Sequence, residues 1–266
     1  MSTVSKYSRL FDLNVKENFA YRADYLLNLF SAVAMITVQY FLWSAVFSGQ
    51  SQIQGFNFSD MISYIVVIWA IYSFINTQSV SYDIQNQLLN GDIGYDFLMP
   101  LSLYFYYLIR FYSQKILNLV IIGLPVFIFS IMFFNINLTG SLNIIFFLLS
   151  VQLSFFISYN ISFLVGLLSI FFKNIEGFIQ LEKFLKLLLS GALVPLAFFP
   201  DWVERITTFF PYRYVNYIPS LIFIGKINSD EILTSFFIQL VWAVSLSLVA
   251  SLFFRKIRNK VVIFGG

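Results

Sequence analysis

Long apolar runs without a single charged residue constrain the fold of this chain more than any other feature. The two clearest are Leu26–Phe47, of 22 residues, and Ile232–Phe254, of 23 residues. A helix needs about 20 apolar residues to cross the hydrocarbon core of a bilayer. In lipid, backbone polar groups are satisfied only within helices or closed barrels. The runs therefore predict an all-α, polytopic membrane protein.

The composition excludes most kinds of chemistry. Only 11% of the 266 residues are charged, whereas a globular domain has roughly 25%, so lipid must surround most of the chain. Cysteine and histidine are absent, which removes disulfides, thiol nucleophiles, imidazole bases and nearly every transition-metal site. No Walker A, GxSxG or HExxH motif occurs, and no block of basic and aromatic residues typical of nucleic-acid binding. We expect no enzyme activity, no metal site and no nucleic-acid partner.

Six transmembrane helices are predicted, with an amphipathic helix before them. Tyr7, Phe11, Val15 and Phe19 recur every fourth residue, which indicates a helix that lies in the membrane interface. The predicted spans are Leu26–Phe47, Met61–Gln78, Ile116–Phe134, Leu142–Phe172, Phe178–Phe199 and Ile232–Phe254.

The basic residues predict which side of the membrane each loop faces. With six spans and a cytoplasmic N-terminus, 13 of the 16 Lys and Arg residues fall inside and 3 fall outside. Cytoplasmic loops are enriched in these residues, so both termini are assigned to the cytoplasm. The 34 phenylalanines are typical of an AT-rich bacterial genome, and the predicted location is the bacterial cytoplasmic membrane.

The fifth span is the least regular of the six. Its uncharged part, Leu187–Phe199, has 13 residues, or about 20 Å of helix, which is too short for a core of about 30 Å. Extension back to Phe178 includes Glu182, Lys183 and Lys186. Lysines near a helix end can reach the lipid headgroups, and Glu182 can pair with Lys186 four residues later.

A re-entrant or interfacial hairpin on the outer face is predicted between spans 5 and 6. The segment Ile206–Gly225 is apolar, yet it contains an arginine and two prolines. A seventh span there would place a basic terminus outside, against the charge distribution. Two further prolines are expected to break span 5 near the outer surface. The residues assigned to this region are Pro195, Pro200, Pro211, Arg213 and Pro219.

Neutral polar side chains lie within the predicted spans, whereas almost no ionisable group lies away from the span ends. Ion-coupled carriers generally need ionisable groups at mid-membrane, so this pattern argues against such a carrier. Gln39 and Trp43 in span 1 and Asn76 in span 2 are predicted to face an amphiphilic substrate. The alternative is that polar side chains of this kind, including Asn160 and Gln239, only form hydrogen bonds between helices.

Several sequence elements, in their order along the chain, resemble a known family. After the amphipathic helix come Leu88–Gly94 and Phe97–Leu101 between spans 2 and 3, then Ser190–Pro200 at the end of span 5. An outer hairpin with Pro211 and Tyr212 and a basic tail ending in two glycines follow. This order resembles the permease subunits of ABC-2 type ATP-driven exporters across nearly the whole chain. It implies a single ABC-2 type transmembrane domain over 1–266: an amphipathic elbow helix (1–24), six spans (25–255) and a cytoplasmic tail (256–266).

The resemblance implies a non-catalytic permease. Two such permeases pair, and a heterodimer is favoured over a homodimer, because the most similar branch often has two different permeases with one ATPase. ATP and Mg²⁺ would bind in partner ABC ATPase subunits, and this chain would hold no cofactor. Spans 1, 2 and 5 would line the substrate pathway within the lipid bilayer.

The loop at Tyr82–Pro100 is predicted to dock on the ATPase. Ile84, Leu88 and Leu89 supply an apolar ridge on a short cytoplasmic helix, which suits a groove on a partner. The alternative is an ordinary solvated connection. The residues assigned to ATPase coupling are Tyr82, Asp83, Leu88, Leu89, Gly91, Asp92, Gly94, Leu98 and Pro100.

Two other functions stay open from the residues alone: an ion-coupled secondary transporter and a non-transporting membrane assembly protein. Transport by the first would survive loss of any ATPase but not collapse of the ion gradient. The second would show no substrate flux. An exporter permease would instead copurify with an ATPase and a second permease.

Overall fold

The computed structural model describes residues 3–18, 22–90, 103–134, 136 and 141–261. Within these ranges the chain is helical apart from short connections, and the only β structure is an isolated bridge between Ile53 and Phe56. The all-α prediction is confirmed. The α-helices are α1 (Thr3–Asn18), α2 (Arg22–Val46), α3 (Phe58–Ile75), α4 (Gln78–Asn90), α5 (Leu103–Asn118), α6 (Leu124–Phe133), α7 (Ser141–Leu167), α8 (Glu176–Leu189), α9 (Asp201–Thr207), α10 (Tyr217–Ile224) and α11 (Ser229–Val261).

Five helical segments in the described part of the chain are long and apolar enough to cross a membrane. They are Asp24–Val46, Phe58–Asn90, Tyr104–Phe133, Leu142–Ile170 and Asp230–Lys256. The second consists of α3 and α4, and the third consists of α5 and α6 joined by a π-helical turn at Leu119–Gly123. These segments correspond to predicted spans 1, 2, 3, 4 and 6.

The predicted fifth span has a different form. α8 has 14 residues, or about 21 Å of helix, and ends at Leu189, ahead of the prolines that were expected to break it. Gly191 follows with a φ of 75°, in the left-handed region that favours glycine just beyond a helix end. A Cβ at Gly191 would lie 2.6 Å from the Tyr64 hydroxyl, so this close approach also requires glycine. From there to Pro200 the only helical turn is a 3₁₀ turn at Leu196–Phe198.

The core lies around α7, which packs along α11, α4, α10 and α3. Aromatic rings fill much of it: the centroid of Phe155 lies 6.0 Å from that of Tyr159 and 5.1 Å from that of Phe74. The predicted amphipathic helix is present as α1 and packs along α5. By contrast, α2 and α11 expose many large apolar side chains, among them Phe41 and Leu248. Exposed apolar surface of this extent indicates a membrane or a protein partner around the helices.

Small side chains let α4 and α7 approach each other closely. The hydroxyls of Thr77 and Ser162 lie 2.9 Å apart in a hydrogen bond, and the Ser81 hydroxyl donates to the carbonyl of Ser162 at 2.7 Å. One turn further along α7, a Cβ on Gly166 would lie 3.0 Å from the Cβ of Ile84. Small residues one turn apart commonly bring membrane helices together in this way. The packing against α7 therefore fixes the position of α4.

Replacement of Gly166 by leucine tests this packing. The new side chain would displace Ile84 and the backbone of Ser81, and overpacking of this kind typically costs about 1–3 kcal/mol. We expect Gly166→Leu to lower the melting temperature of the detergent-solubilised protein. The matched variant Gly177→Leu, at a glycine with open space around it, should leave the melting temperature unchanged. Equal melting temperatures for the two variants would contradict the close contact of α4 with α7.

Candidate functional site

α3 and α4 are separated by a break at Asn76 and Thr77. Asn76 has an extended backbone, with a φ of −77° and a ψ of 107°. Its side-chain amide donates to the Tyr72 hydroxyl at 2.9 Å, and its side-chain oxygen accepts from the N–H of Gln78 at 3.4 Å. Asn76 thereby connects the last turn of α3 to the first residue of α4.

A buried lysine caps the C-terminus of α3. The last carbonyls of a helix have no intrahelical partner, and here the carbonyl of Ile75 accepts a hydrogen bond from Lys186 Nζ at 2.9 Å. A positive charge is favourable there, because the C-terminal end of a helix dipole is negative. Lys186 is 9% exposed and lies on a buried stripe of α8 with Ile179 and Glu182. The expectation that Lys186 reaches the headgroups is therefore wrong.

Three ionisable side chains are buried around this break. Glu182 is 4% exposed and acts electrostatically on Lys186, although the two form no ion pair within contact distance. Lys115 is 7% exposed and lies inside the helical segment Tyr104–Phe133, whereas the predicted third span began one residue after it, at Ile116. Lys115 is thus an ionisable group inside a membrane-length helical segment, against the expectation that the spans hold almost none, whereas Glu182 and Lys186 lie on the shorter helix α8. Buried ionisable groups in a membrane protein mark candidate functional sites.

A cavity of about 240 Å³ lies beside the break, between α2, α3 and α5. Asn76, which the sequence assigned to the substrate pathway, lines this cavity. Its other polar lining groups come from all three helices. The lining residues that carry side-chain nitrogen or hydroxyl groups are Asn28, Ser31, Trp69, Tyr72, Ser73, Asn76, Lys115 and Asn118.

The structure does not bring Gln39 and Trp43 to this cavity. The indole N–H of Trp43 donates to Gln39 Oε1 at 3.2 Å, so the two side chains pair with each other on α2. Trp43 is buried, and its ring lies 5.7 Å from the ring of Phe198. Their assignment to a substrate pathway stays a prediction.

The predicted coupling residues of α4 do not form one apolar ridge. Ile84 is buried against Gly166, and Leu88 is half-buried against the core of its own chain. Leu89 is 51% exposed and lies on the same helix face as the exposed residues Tyr82 and Asn86. The remaining predicted coupling residues lie outside the described residues. They are Gly91, Asp92, Gly94, Leu98 and Pro100.

Two predicted coupling residues hold α4 against its neighbours. The Tyr82 hydroxyl donates to Glu176 Oε1, in the first turn of α8, at 3.0 Å. Asp83 lies 3.8 Å from Arg110 of α5 in a partly exposed ion pair. Exposed ion pairs contribute little stability, so Asp83 contributes mainly to orientation.

Prolines shape the segment between α8 and α11, but not all of them break helices. Pro200 immediately precedes α9, and Pro211 begins the 3₁₀ turn Pro211–Tyr214. Pro219 lies in the first turn of α10, where the missing N–H has no intrahelical acceptor, so α10 forms around it. Pro195 precedes the 3₁₀ turn Leu196–Phe198.

Arg213 ties this segment together. One of its terminal nitrogens lies 3.4 Å from Glu204 Oε1 and another donates to the Thr207 hydroxyl at 3.1 Å, both on α9. Its guanidinium lies 4.9 Å from the centre of the Tyr217 ring, a favourable cation–π distance. Arg213 therefore has a packing role in the structure.

Two other neutral amides within the predicted spans, those of Gln239 and Asn160, connect helices. The Gln239 amide of α11 donates to the carbonyls of Tyr214 and Ser150, each at 2.8 Å. Asn160 accepts from the Tyr104 hydroxyl at 2.6 Å and donates to the Ser247 hydroxyl at 2.8 Å. The packing alternative accounts for both amides.

Comparison with protein-family models identifies the family. The model described as ABC-2 family transporter protein matches residues 33–263, which include all of α3 to α11 and the second half of α2. No curated protein matches the chain. The match and the membrane-length helices agree with the resemblance found in the sequence. The chain belongs to the ABC-2 family of transporter proteins and is a multi-pass membrane permease of an ABC transporter.

Proposed function

We propose that this chain is the permease subunit of an ATP-driven exporter and that α4 couples it to a separate ABC ATPase. ATP and Mg²⁺ bind in that ATPase, and the permease performs no chemistry. A second permease, a paralogue in preference to a copy of this chain, completes the substrate pathway. Family membership supports association with an ABC ATPase. The observation that carries the proposal is the exposed face of α4.

This face combines one apolar group with polar neighbours. Leu89 is exposed on a face of α4 that also exposes Tyr82 and Asn86, and the amide of Asn86 can form hydrogen bonds at a protein interface. An exposed leucine among polar groups is typical of an anchor that fills a partner's pocket, while the rim adds specificity.

The attachments of α4 would pass a displacement of this face into the membrane helices. The Tyr107 hydroxyl of α5 donates to Gln87 at 2.8 Å, and Tyr82 holds the start of α8 through Glu176. On its other side α4 packs on α7, and beyond the break it continues α3. A partner that moved α4 would therefore move four helices of this bundle.

Leu89→Asp tests the proposed docking face. It replaces an apolar anchor by a charge that the partner would bury, and a loss of about 1.4 kcal/mol or more corresponds to at least tenfold weaker binding. We expect the variant to lose the copurifying ATPase while its melting temperature stays unchanged, because Leu89 packs little within its own chain. The matched variant Leu89→Met keeps an apolar side chain and should retain the ATPase. Wild-type ATPase recovery with Leu89→Asp would exclude this face as the coupling site.

We also propose six membrane crossings, with both termini in the cytoplasm of a bacterial cell. α8 begins beside α4 through Tyr82 and Glu176, and the segment after it reaches Phe56, whose ring lies 5.7 Å from that of Phe198. Phe56 precedes α3 and Tyr82 follows it, so α8 and the irregular segment Ser190–Phe199 together run the length of α3. This supports a fifth crossing that is helical in its cytoplasmic half only.

Irregular backbone at membrane depth requires protein around it. The Tyr64 hydroxyl donates to the carbonyl of Gly191 at 2.7 Å, and the Asn216 amide donates to the Ser190 hydroxyl at 2.7 Å. Ser190 and Asn216 are both buried. These contacts support a non-helical outer half of the fifth crossing.

The segment from Pro200 to Lys226 is proposed as a re-entrant hairpin on the outer side. Lys226 Nζ lies 2.7 Å from Asp60 at the start of α3, close to where Phe198 meets Phe56. The carbonyl of Tyr214, between these two ends, accepts hydrogen bonds from side chains in the interiors of α7 and α11. The hairpin would thus enter and leave on the same side.

Cysteine labelling tests this topology, because the natural chain contains no cysteine. Single cysteines at the exposed positions Ser51, Asp201 and Asn228 should react with an impermeant maleimide on intact cells. Cysteines at Asn174 and Lys256, which are also exposed, should react only after permeabilisation. Reaction of position 228 only after permeabilisation would show that the proposed hairpin crosses the membrane.

A further inference from the structure

Lys115 is a buried positive charge with no partner among the described residues. It is 7% exposed, and no hydrogen bond or ion pair joins its ammonium group to a described side chain or carbonyl. The nearby buried Lys186 donates to the carbonyl of Ile75, and its charge repels that of Lys115. An unpaired buried charge is costly unless a counter-charge approaches it.

The cavity beside Lys115 has the groups that an anion requires. The side-chain amides of Asn118, three residues after Lys115 on α5, and Asn28 of α2 line it, and neither amide has a hydrogen-bond partner in the described part of the chain. The described lining contains no aspartate or glutamate. One ammonium and two amides on two helices suit the separate oxygens of a phosphate better than a planar carboxylate.

The size of the cavity limits its occupant. Its volume of about 240 Å³ is below the roughly 300–1,000 Å³ of pockets that enclose drug-sized ligands. It therefore has room for a headgroup but not for a complete amphiphile. Met35 of α2 also lines it, and the neighbouring α2 residues Leu27, Phe30 and Val38 expose apolar side chains along which acyl chains can lie.

We propose that this cavity binds the phosphate of an acidic phospholipid, with Lys115 as the counter-charge and Asn28 and Asn118 as hydrogen-bond donors. Basic pockets between membrane helices are suited to anionic headgroups. A free phosphate presents the same chemistry and is distinguished by the experiment below. The site goes beyond ATPase coupling and does not depend on it, since it lies on the permease alone.

The test uses the permease in nanodiscs of phosphatidylcholine with and without phosphatidylglycerol. We expect phosphatidylglycerol to raise the melting temperature of the wild-type protein, because a ligand that binds only the folded state stabilises it. Native mass spectrometry should detect retained phosphatidylglycerol. Lys115→Met should weaken this binding roughly tenfold or more, the usual consequence of losing a charged hydrogen-bond partner. Lys183→Met, at an exposed lysine of α8, should bind as the wild type does.

Two further measurements separate the possible explanations of a result. Asn118→Leu, which removes one amide donor and keeps the charge, should weaken binding less, and it carries the test if Lys115→Met does not fold. Inorganic phosphate added to phosphatidylcholine nanodiscs identifies the source: stabilisation that Lys115→Met abolishes would assign the site to free phosphate. Equal retention of phosphatidylglycerol by the wild type and both variants, or no preference over phosphatidylcholine, would overturn the proposal.

Discussion

The hydrogen bond from Lys186 Nζ to the carbonyl of Ile75 holds the point at which α3 ends and α4 begins. The bond gives a C-terminal carbonyl of α3 a hydrogen-bond donor. It also places a positive charge at the negative end of the α3 helix dipole, and both effects stabilise the end of the helix. Beyond the break at Asn76, α4 packs on α7 through Ser81 and Gly166. The same lysine ties α8 to α3, so the position of α8 depends on this bond as well.

The part of the bundle around the N-terminal half of α3 depends on this helix in a similar way. The Tyr64 hydroxyl holds the carbonyl of Gly191 where α8 ends, and the Tyr64 ring lies 6.4 Å from that of Tyr217 on α10. Asp60, in the first turn of α3, pairs with Lys226 after α10. Along its length, α3 therefore contacts α4, α8 and the segment between α8 and α11. Under the proposed coupling through α4, α3 is the helix that would carry a displacement from one end of the bundle to the other.

Much of the fold follows from local sequence patterns, but the candidate site does not. Charge-free apolar runs predict five membrane-length helices, because length and hydropathy alone determine whether a helix suits lipid. The fifth predicted span differs because its polar groups are satisfied by Tyr64 and Asn216, which are distant in sequence. Likewise, the sequence around Lys186 predicts an amphipathic helix whose lysine contacts lipid headgroups. Sequence alone does not show that the C-terminus of α3 lies beside Lys186 and accepts its hydrogen bond. The sequence predicted that Ile84 belongs to an apolar ridge on α4 that contacts a partner. Ile84 is instead buried against Gly166 of α7, a contact between two helices that local sequence does not reveal.

Hydrogen exchange around the break tests the account most directly. Lys186→Met removes the donor to Ile75, and Lys183→Met removes an exposed lysine from the same helix. A lost hydrogen bond to a charged group costs roughly 1.5–3 kcal/mol. The locally open state should then be populated about tenfold more or higher, and amide exchange should speed up by the same factor. The account predicts faster amide exchange from Tyr72 to Ser81 in Lys186→Met and wild-type exchange in Lys183→Met. Unchanged exchange in both variants would show that Lys186 does not hold the break.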